Sequence, residues 1–466
     1  MKLKKTKIFS AISIVLLLPI TFISCQMEEK SRLTDQQSQL VQELNQRLIP
    51  LVGSPLLLTD GELDFLDSLE SAKIVALGEA THGTGEFFRM KHRVFRYLVE
   101  NRQHRAFGFE ADFAESLYFD NYVCHDEGNL TRLMRTKMIF WTWKTEEVKD
   151  LLEWMRMYNR GRSEEDKIHY LGFDCQFTIH HVAFIQAYLL GANPDFWQTA
   201  APLLEQVEGL SSNDYQNMPP ETFDNLKTQL ETLGFLFEAQ KDTLVDHSSL
   251  REYRLNRQLL RTFRQAFIVT YFFYNESYNT TNWRDLFMAE NARWIADFMG
   301  QDSKITLWAH NGHVANDSHY SASGSMGYHL RKELGDLYRV VGFGFSKGRF
   351  TAVGTSIYGF RLGLSEYEIT REPREDSINF IFHHASLPGF VLHSEATPTG
   401  FALHLDAIPT GSAWDSWLDA APRPFLWIGS GFDGIADHYY HSLDLREQYN
   451  WILYFDHTTA SHLLPR

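Results

Sequence analysis

Four short apolar runs, each stopping abruptly at charged or amide residues, constrain this chain more than any other feature. Residues 73–77 run into Gly78-Glu79-Ala80-Thr81-His82-Gly83, and 105–109 into Glu110-Ala111-Asp112. Residues 168–173 run into Asp174, and 305–308 into Ala309-His310-Asn311-Gly312-His313. Compact apolar runs of this length read as strands buried on both faces. A fifth strand is expected over 338–343. Helical periodicity fills the intervals. Phe87, Val94 and Leu98 predict a helix over 86–100, and another follows over 112–123. Val148, Leu151, Leu152 and Met155 predict one over 146–158, and a further helix lies near 326–334. Alternation of this kind predicts an α/β fold: a mostly parallel sheet flanked by helices.

Between the third and fourth runs, about 176–300, lies a long helical insertion. Phe223, Leu226, Leu230, Leu233 and Phe237 keep a 3–4 spacing, and Leu255, Leu259, Phe263, Phe267 and Tyr271 a spacing of four. Two long antiparallel helices satisfy both patterns, and a third over 282–299 leads back to the sheet. The insertion is either a packing lobe or the wall of a deep cleft. A short helix is expected over 34–48. In the last third, Pro398, Gly400, Pro409, Gly411, Pro422 and Pro424 mark turns around strands at 401–408 and 451–455. No repeat or linker interrupts 34–466, which reads as one domain.

The first residues belong to export. Lys2, Lys4, Lys5 and Lys7 precede an apolar run from Ile8 to Phe22, too short for a comfortable membrane span. Phe22-Ile23-Ser24-Cys25 resembles a lipobox, with Cys25 as the lipidated residue that anchors the chain to a membrane. The alternative is an ordinary signal peptide cut near Ser24. The expected division is a signal peptide over 1–24, a tether over 25–33, and the domain from 34. The formal charge of -15 falls by four without the signal lysines, which excludes nucleic acid as a natural partner. Cys124 and Cys175 are read as two isolated buried thiols, although pairing is open to them.

In open parallel sheets, functional groups gather beyond the carboxyl ends of the strands. Four polar clusters on one rim therefore predict a shared site. His82 can take a proton from water, with Glu79 fixing its tautomer; the alternative is an ordinary strand-to-helix loop. His310 and His313 admit three readings: zinc ligands, loop hydrogen bonding, or donors to a developing oxyanion, the last ranking first. Arg284 is a candidate to enter the cleft. Arg89, Lys91, Asp174 and Asn311 are candidates to bind substrate. No Gly-x-Ser-x-Gly elbow, P-loop or dinucleotide fingerprint is present.

Leu77-Gly-Glu-Ala-Thr-His-Gly83, Phe109-Glu-Ala-Asp112, Trp141-Thr-Trp143, Arg284-Asp285 with Met288-Ala-Glu-Asn291, and Trp308-Ala-His-Asn-Gly-His-Val314 resemble, in this order, the signatures of the erythromycin esterase family. The resemblance implies hydrolysis of an ester or lactone by activated water, without a covalent intermediate or a required cofactor. It implies His82 as general base, Glu79 and Glu110 in support, and Arg284, His310 and His313 lining the same deep cleft. The family's active-site arginine on the following helix falls near Lys91, with Arg89 close by. A small-molecule ester or lactone is the implied partner. The alternatives are a metal-dependent hydrolase using the same cluster, and a surface lipoprotein that binds a ligand without turnover.

Overall fold

A computed structural model describes residues 33–51, 55–356, 360–385 and 400–465, without the side chains of 277–279 and 281. The expected signal peptide, Cys25 and nearly all of the tether lie outside the described residues. Among these, no helix is long and apolar enough to cross a membrane.

Twelve strands are described: β1 (Ile49–Leu51), β2 (Ile74–Leu77), β3 (His104–Asp112), β4 (His169–Asp174), β5 (Lys304–Trp308), β6 (Tyr338–Thr355), β7 (Arg361–Ile369), β8 (Gly400–His404), β9 (Arg423–Leu426), β10 (Gly431–Phe432), β11 (Tyr440–Leu443) and β12 (Trp451–Thr458). Ten form one sheet whose main path runs β1-β8-β12-β6-β2-β5-β3-β4, with β7 and β10 also paired to β6. From β12 to β4 every pairing is parallel, while β1, β8 and β7 attach antiparallel. All four β2 residues are buried, as a strand between two neighbours and covered on both faces requires.

The first three α-helices are α1 (Asp35–Asn45), α2 (Gly85–Arg102) and α3 (Phe113–His125). The Thr34 hydroxyl and the Gln37 side chain cap α1 reciprocally. α2 buries thirteen of its eighteen residues, among them Lys91, so it lies under other elements on more than one side. The strands at 105–109 and 338–343 are longer than their apolar runs. β3 continues through Glu110 to Asp112, and β6 runs past the sheet to hold β7 and β10. The expected strand at 401–408 stops at His404.

The insertion is a set of helices between β4 and β5. Helices Pro220–Ala239 and Leu250–Asn275 pack antiparallel, because Phe223 stacks on Tyr271 at 3.8 Å while Phe237 meets Tyr253 at 5.5 Å. Helix Ser277–Phe298 returns to the sheet. Under the rim, Trp308 packs against Phe88, Phe109 and Trp143 with ring centroids 4.8, 5.0 and 5.4 Å away.

Residues 459–464 run back over the rim. Gly85 donates to the Thr459 carbonyl, Ser461 to Gly83, Glu146 to His462 and Leu464 to Lys144. The Glu86 carboxylate takes the Thr459 amide and hydroxyl, both at 2.7 Å. A Cβ on Gly83 would lie 2.0 Å from the Thr351 carbonyl oxygen, so only glycine lets the loop 78–84 dock here.

Candidate active site

Glu79 leaves β2 into a fully buried position, where both carboxylate oxygens are used. Oε1 lies 2.7 Å from His82 Nδ1; Oε2 accepts from Lys91 Nζ at 2.6 Å and Trp308 Nε1 at 2.7 Å. Lys91 itself lies 4.5 Å from the Trp308 ring centroid. Burial lowers the Lys91 pKa to about 8 against the pull of Glu79. The aromatic stack therefore fixes a carboxylate whose remaining oxygen accepts the Nδ1 proton of His82. That leaves His82 Nε2 with its lone pair toward the cleft, the form a general base requires.

His310 is set the other way. It opens the short helix Asn311–Val314, and its Nδ1 accepts the Gly312 amide at 3.2 Å. The ring proton therefore sits on Nε2, which is buried and makes no hydrogen bond to the described protein. Burial, then the neighbouring His82 and His313, hold its pKa well below the ordinary imidazole value, so the ring is neutral. The His82 and His310 rings are 5.2 Å apart between centroids.

Arg284 ties the other loops together. It grips Asp174 with Nε at 3.0 Å and Nη2 at 2.8 Å, reaches Glu110 Oε1 at 2.7 Å, and places Nη1 3.0 Å from His313 Nε2. Glu110 Oε2 accepts the His310 amide at 2.9 Å. Burial alone would raise the Glu110 carboxyl, but His313, Arg284 and His82 hold it below the usual carboxylate range. His313 Nδ1 lies 2.8 Å from Asp285 Oδ1, which also accepts the Met326 amide. Burial opposes charge on His313, while Asp285 and Glu110 raise its pKa above the ordinary value. A neutral His313 accepts from Arg284; a protonated one donates to Glu110 Oε1, 3.4 Å away.

His82, Glu110, Arg284, His310 and His313 line a cleft of about 1490 Å³. Its far wall includes Tyr215, Val269, Phe273 and Tyr274 from the insertion, which is thus a wall of the cleft as well as a packing lobe. Glu79, Lys91 and Asp174 stand behind the lining residues. Asn311 is turned into the sheet, with Nδ2 on the Phe343 carbonyl at 2.7 Å and Oδ1 on the Phe343 amide at 3.1 Å. Arg89 points away, to Glu86 at 2.8 Å and Glu147 at 3.2 Å, beneath the 459–464 segment. A zinc reading of His310 and His313 finds one open nitrogen, His310 Nε2, among four. His310 Nδ1 holds a backbone amide, and His313 lies between Asp285 and the Arg284 guanidinium, a cation where an ion would have to sit.

Sequence reasoning passed over Asp285 as the partner of His313, although it adjoins Arg284. It also gave no role to Trp427, whose ring lies 5.4 Å from His310 and lines the cleft. No local pattern marks a tryptophan in a turn-rich third of the chain as part of a site whose other residues run from Glu79 to His313.

The sequence profile of the family described as erythromycin esterase matches residues 99–458. The chain belongs to the erythromycin esterase family. Erythromycin esterase type II of Escherichia coli is 23% identical over 330 residues, covering 66% of this chain and 77% of that protein. A Bacillus cereus crystal structure superposes with a TM-score of 0.79 at 23% identity, covering 92% of this chain and 99% of that one. The erythromycin esterase EreC, a mutant in its open conformation, superposes with a TM-score of 0.63 at 19% identity, over 88% and 97%. These solved structures share the fold of this erythromycin esterase family member. Membership supports an ester or lactone hydrolase acting on a small molecule. Glu110, Arg284, His310 and His313 fall within the matched span, and Glu79 and His82 precede it.

Proposed function

We propose that this protein hydrolyses a carboxylic ester or lactone with water activated by His82. The observation that carries the reading is the opposed setting of two neighbouring imidazoles. His82 carries a lone pair on Nε2 and His310 an N–H on a buried Nε2 without a protein acceptor, and both residues line one cleft. His82 Nε2 takes a proton from water as the oxygen adds to the carbonyl carbon. The carbonyl oxygen gains charge and accepts from His310 Nε2–H. Collapse expels the alkoxide, which recovers the proton from His82. Glu79 holds the imidazolium, and Lys91 and Trp308 hold Glu79. The Arg284–Asp174–Glu110 array fixes the backbone of His310 and the ring of His313. Macrolide lactones are the first substrates to examine, given the name of the Escherichia coli relative. We further propose that residues 34–466 form one catalytic domain, exported by a signal peptide over 1–24 and tethered through lipidated Cys25.

The test is mass spectrometry on a panel of esters and lactones that includes a 14-membered macrolide. Wild type, His82→Ala and chelator-treated protein are compared. The expected product is the parent plus one water, formed with or without chelator and lost in His82→Ala. Loss on chelation with recovery by zinc would establish the metal-dependent alternative. Binding without any product would establish a ligand-binding lipoprotein.

A further inference from the structure

We propose that Asp120, Cys124 and His169 bind one thiophilic divalent cation, with zinc the best fit, at the end of the sheet opposite the cleft. Asp120 and Cys124 are one turn apart on α3, and His169 opens β4. The Asp120 oxygens stand 3.0 and 3.1 Å from His169 Nδ1. Cys124 Sγ lies 3.4 Å from the same nitrogen and 3.5 Å from Asp120 Oδ1. Zinc bonds of about 2.0 Å to nitrogen and oxygen and about 2.3 Å to sulfur, arranged tetrahedrally, separate ligand atoms by about 3.3–3.5 Å. The three side chains thus stand within a few tenths of an ångström of coordination geometry.

Their surroundings suit a bound cation. The Tyr170 amide donates to Asp120 Oδ1 at 3.0 Å, orienting the carboxylate. Asn159 Nδ2 lies 3.8 Å from Cys124 Sγ while it donates to the Ile168 and Val123 carbonyls at 2.8 and 3.1 Å, fixing the backbone beside the thiol. A divalent ion would neutralise a Cys124 thiolate and the Asp120 carboxylate together. Cys124 borders a second cavity, of about 290 Å³, which gives an entry path, although Arg156, Arg160, Arg162 and Lys167 also line it. His169 opens β4 and Asp174 closes it, so the two sites stand about 17 Å apart at the rise of a parallel strand. A cation here braces α3 against β4 and takes no part in the cleft.

One contact opposes it. Arg251 Nη2 lies 3.3 Å from His169 Nε2 and donates to it when the ring proton is on Nδ1. A cation on Nδ1 needs the proton on Nε2. The exposed Arg251 side chain must then withdraw, so arginine and cation exclude one another.

Cobalt(II), titrated into the reduced full-length protein, is the probe. The expected result is one equivalent bound with a thiolate-to-cobalt absorption band, displaced by zinc and lost in Cys124→Ser. Asp120→Asn and His169→Ala should weaken binding by about 10–100-fold or more. Arg251→Met should tighten it several-fold, and ester hydrolysis should be unchanged in Arg251→Met. Because Arg251 is exposed, this variant keeps the test open if a buried substitution fails to fold. No band in the folded wild type, a band that survives Cys124→Ser, or no tightening in Arg251→Met would overturn the proposal.

Discussion

At the rim of the sheet, one guanidinium serves Asp174, Glu110 and His313, and one carboxylate serves Lys91, Trp308 and His82. In the antiparallel helix pair of the insertion, Phe223 lies flat on Tyr271 and Phe237 on Tyr253, and no charged residue of either helix is buried. The rim concentrates its polar groups where water is scarce, so each depends on the geometry of its neighbours. The insertion depends on area and shape, which tolerate small displacements. Hence damage at the rim should appear chiefly in rate, and damage in the insertion chiefly in stability, although both border one cleft.

The largest effect tests the rim. His82→Ala should lower kcat by roughly 10²–10⁴-fold, with a modest cost of about 1–3 kcal/mol in stability, since it leaves one oxygen of the buried Glu79 carboxylate without its partner. A large fall in melting temperature would break the distinction. Next, Phe223→Ala should cost about 3–5 kcal/mol in chemical denaturation, with kcat unchanged at temperatures where the protein stays folded. A third test lies beneath the rim, where Asp112, Glu115 and Asp174 are buried together. Burial, then Asp174 and Glu115, raise Asp112 well above the carboxylate range, and burial pushes Glu115 up to about 8. A folded-state pKa above the unfolded one stabilises at low pH and is lost as pH rises through it. Stability should therefore fall between about pH 4.5 and 8. Glu115→Gln should flatten that window, melting several degrees above wild type at pH 9 and close to it at pH 5. The smallest effect is Phe235→Ala. This insertion residue is 70% exposed, and its loss should stay within about 0.5 kcal/mol.

The same division explains what could be read before folding. Strands such as β2 announce themselves through unbroken apolar runs, and the insertion helices through their spacing, because burial acts on every residue of a local pattern. The rim positions of Glu79, Glu110, His310 and His313 followed from where those runs stop. What did not follow depends on partners far along the chain. Lys91 reads as a candidate to bind substrate, yet it is buried behind the cleft, where Glu79 and Trp308 reach it from the ends of two strands. Arg89, two residues away, faces Glu147 and the 459–464 segment instead. Asn311 reads as a ligand to substrate and proves to be a splint on β6. The length of β6 was hidden because its second half, where Phe350 and Ala352 are buried on either side of Thr351, pairs with β7 and β10 and carries no long apolar run.

The return of residues 459–464 over the loop 78–84 sets an order of events during synthesis. His82 leaves the ribosome some 377 residues before Thr459, which at bacterial elongation rates is roughly 20–75 s. Through that interval Gly85 lacks the Thr459 carbonyl, Glu86 the Thr459 amide and hydroxyl, and Gly83 the Ser461 amide that joins Thr351 on its carbonyl. A nascent chain therefore carries every side chain of the proposed catalytic site through the last third of its synthesis, and the site is completed only once the segment that contains none of those side chains has been made.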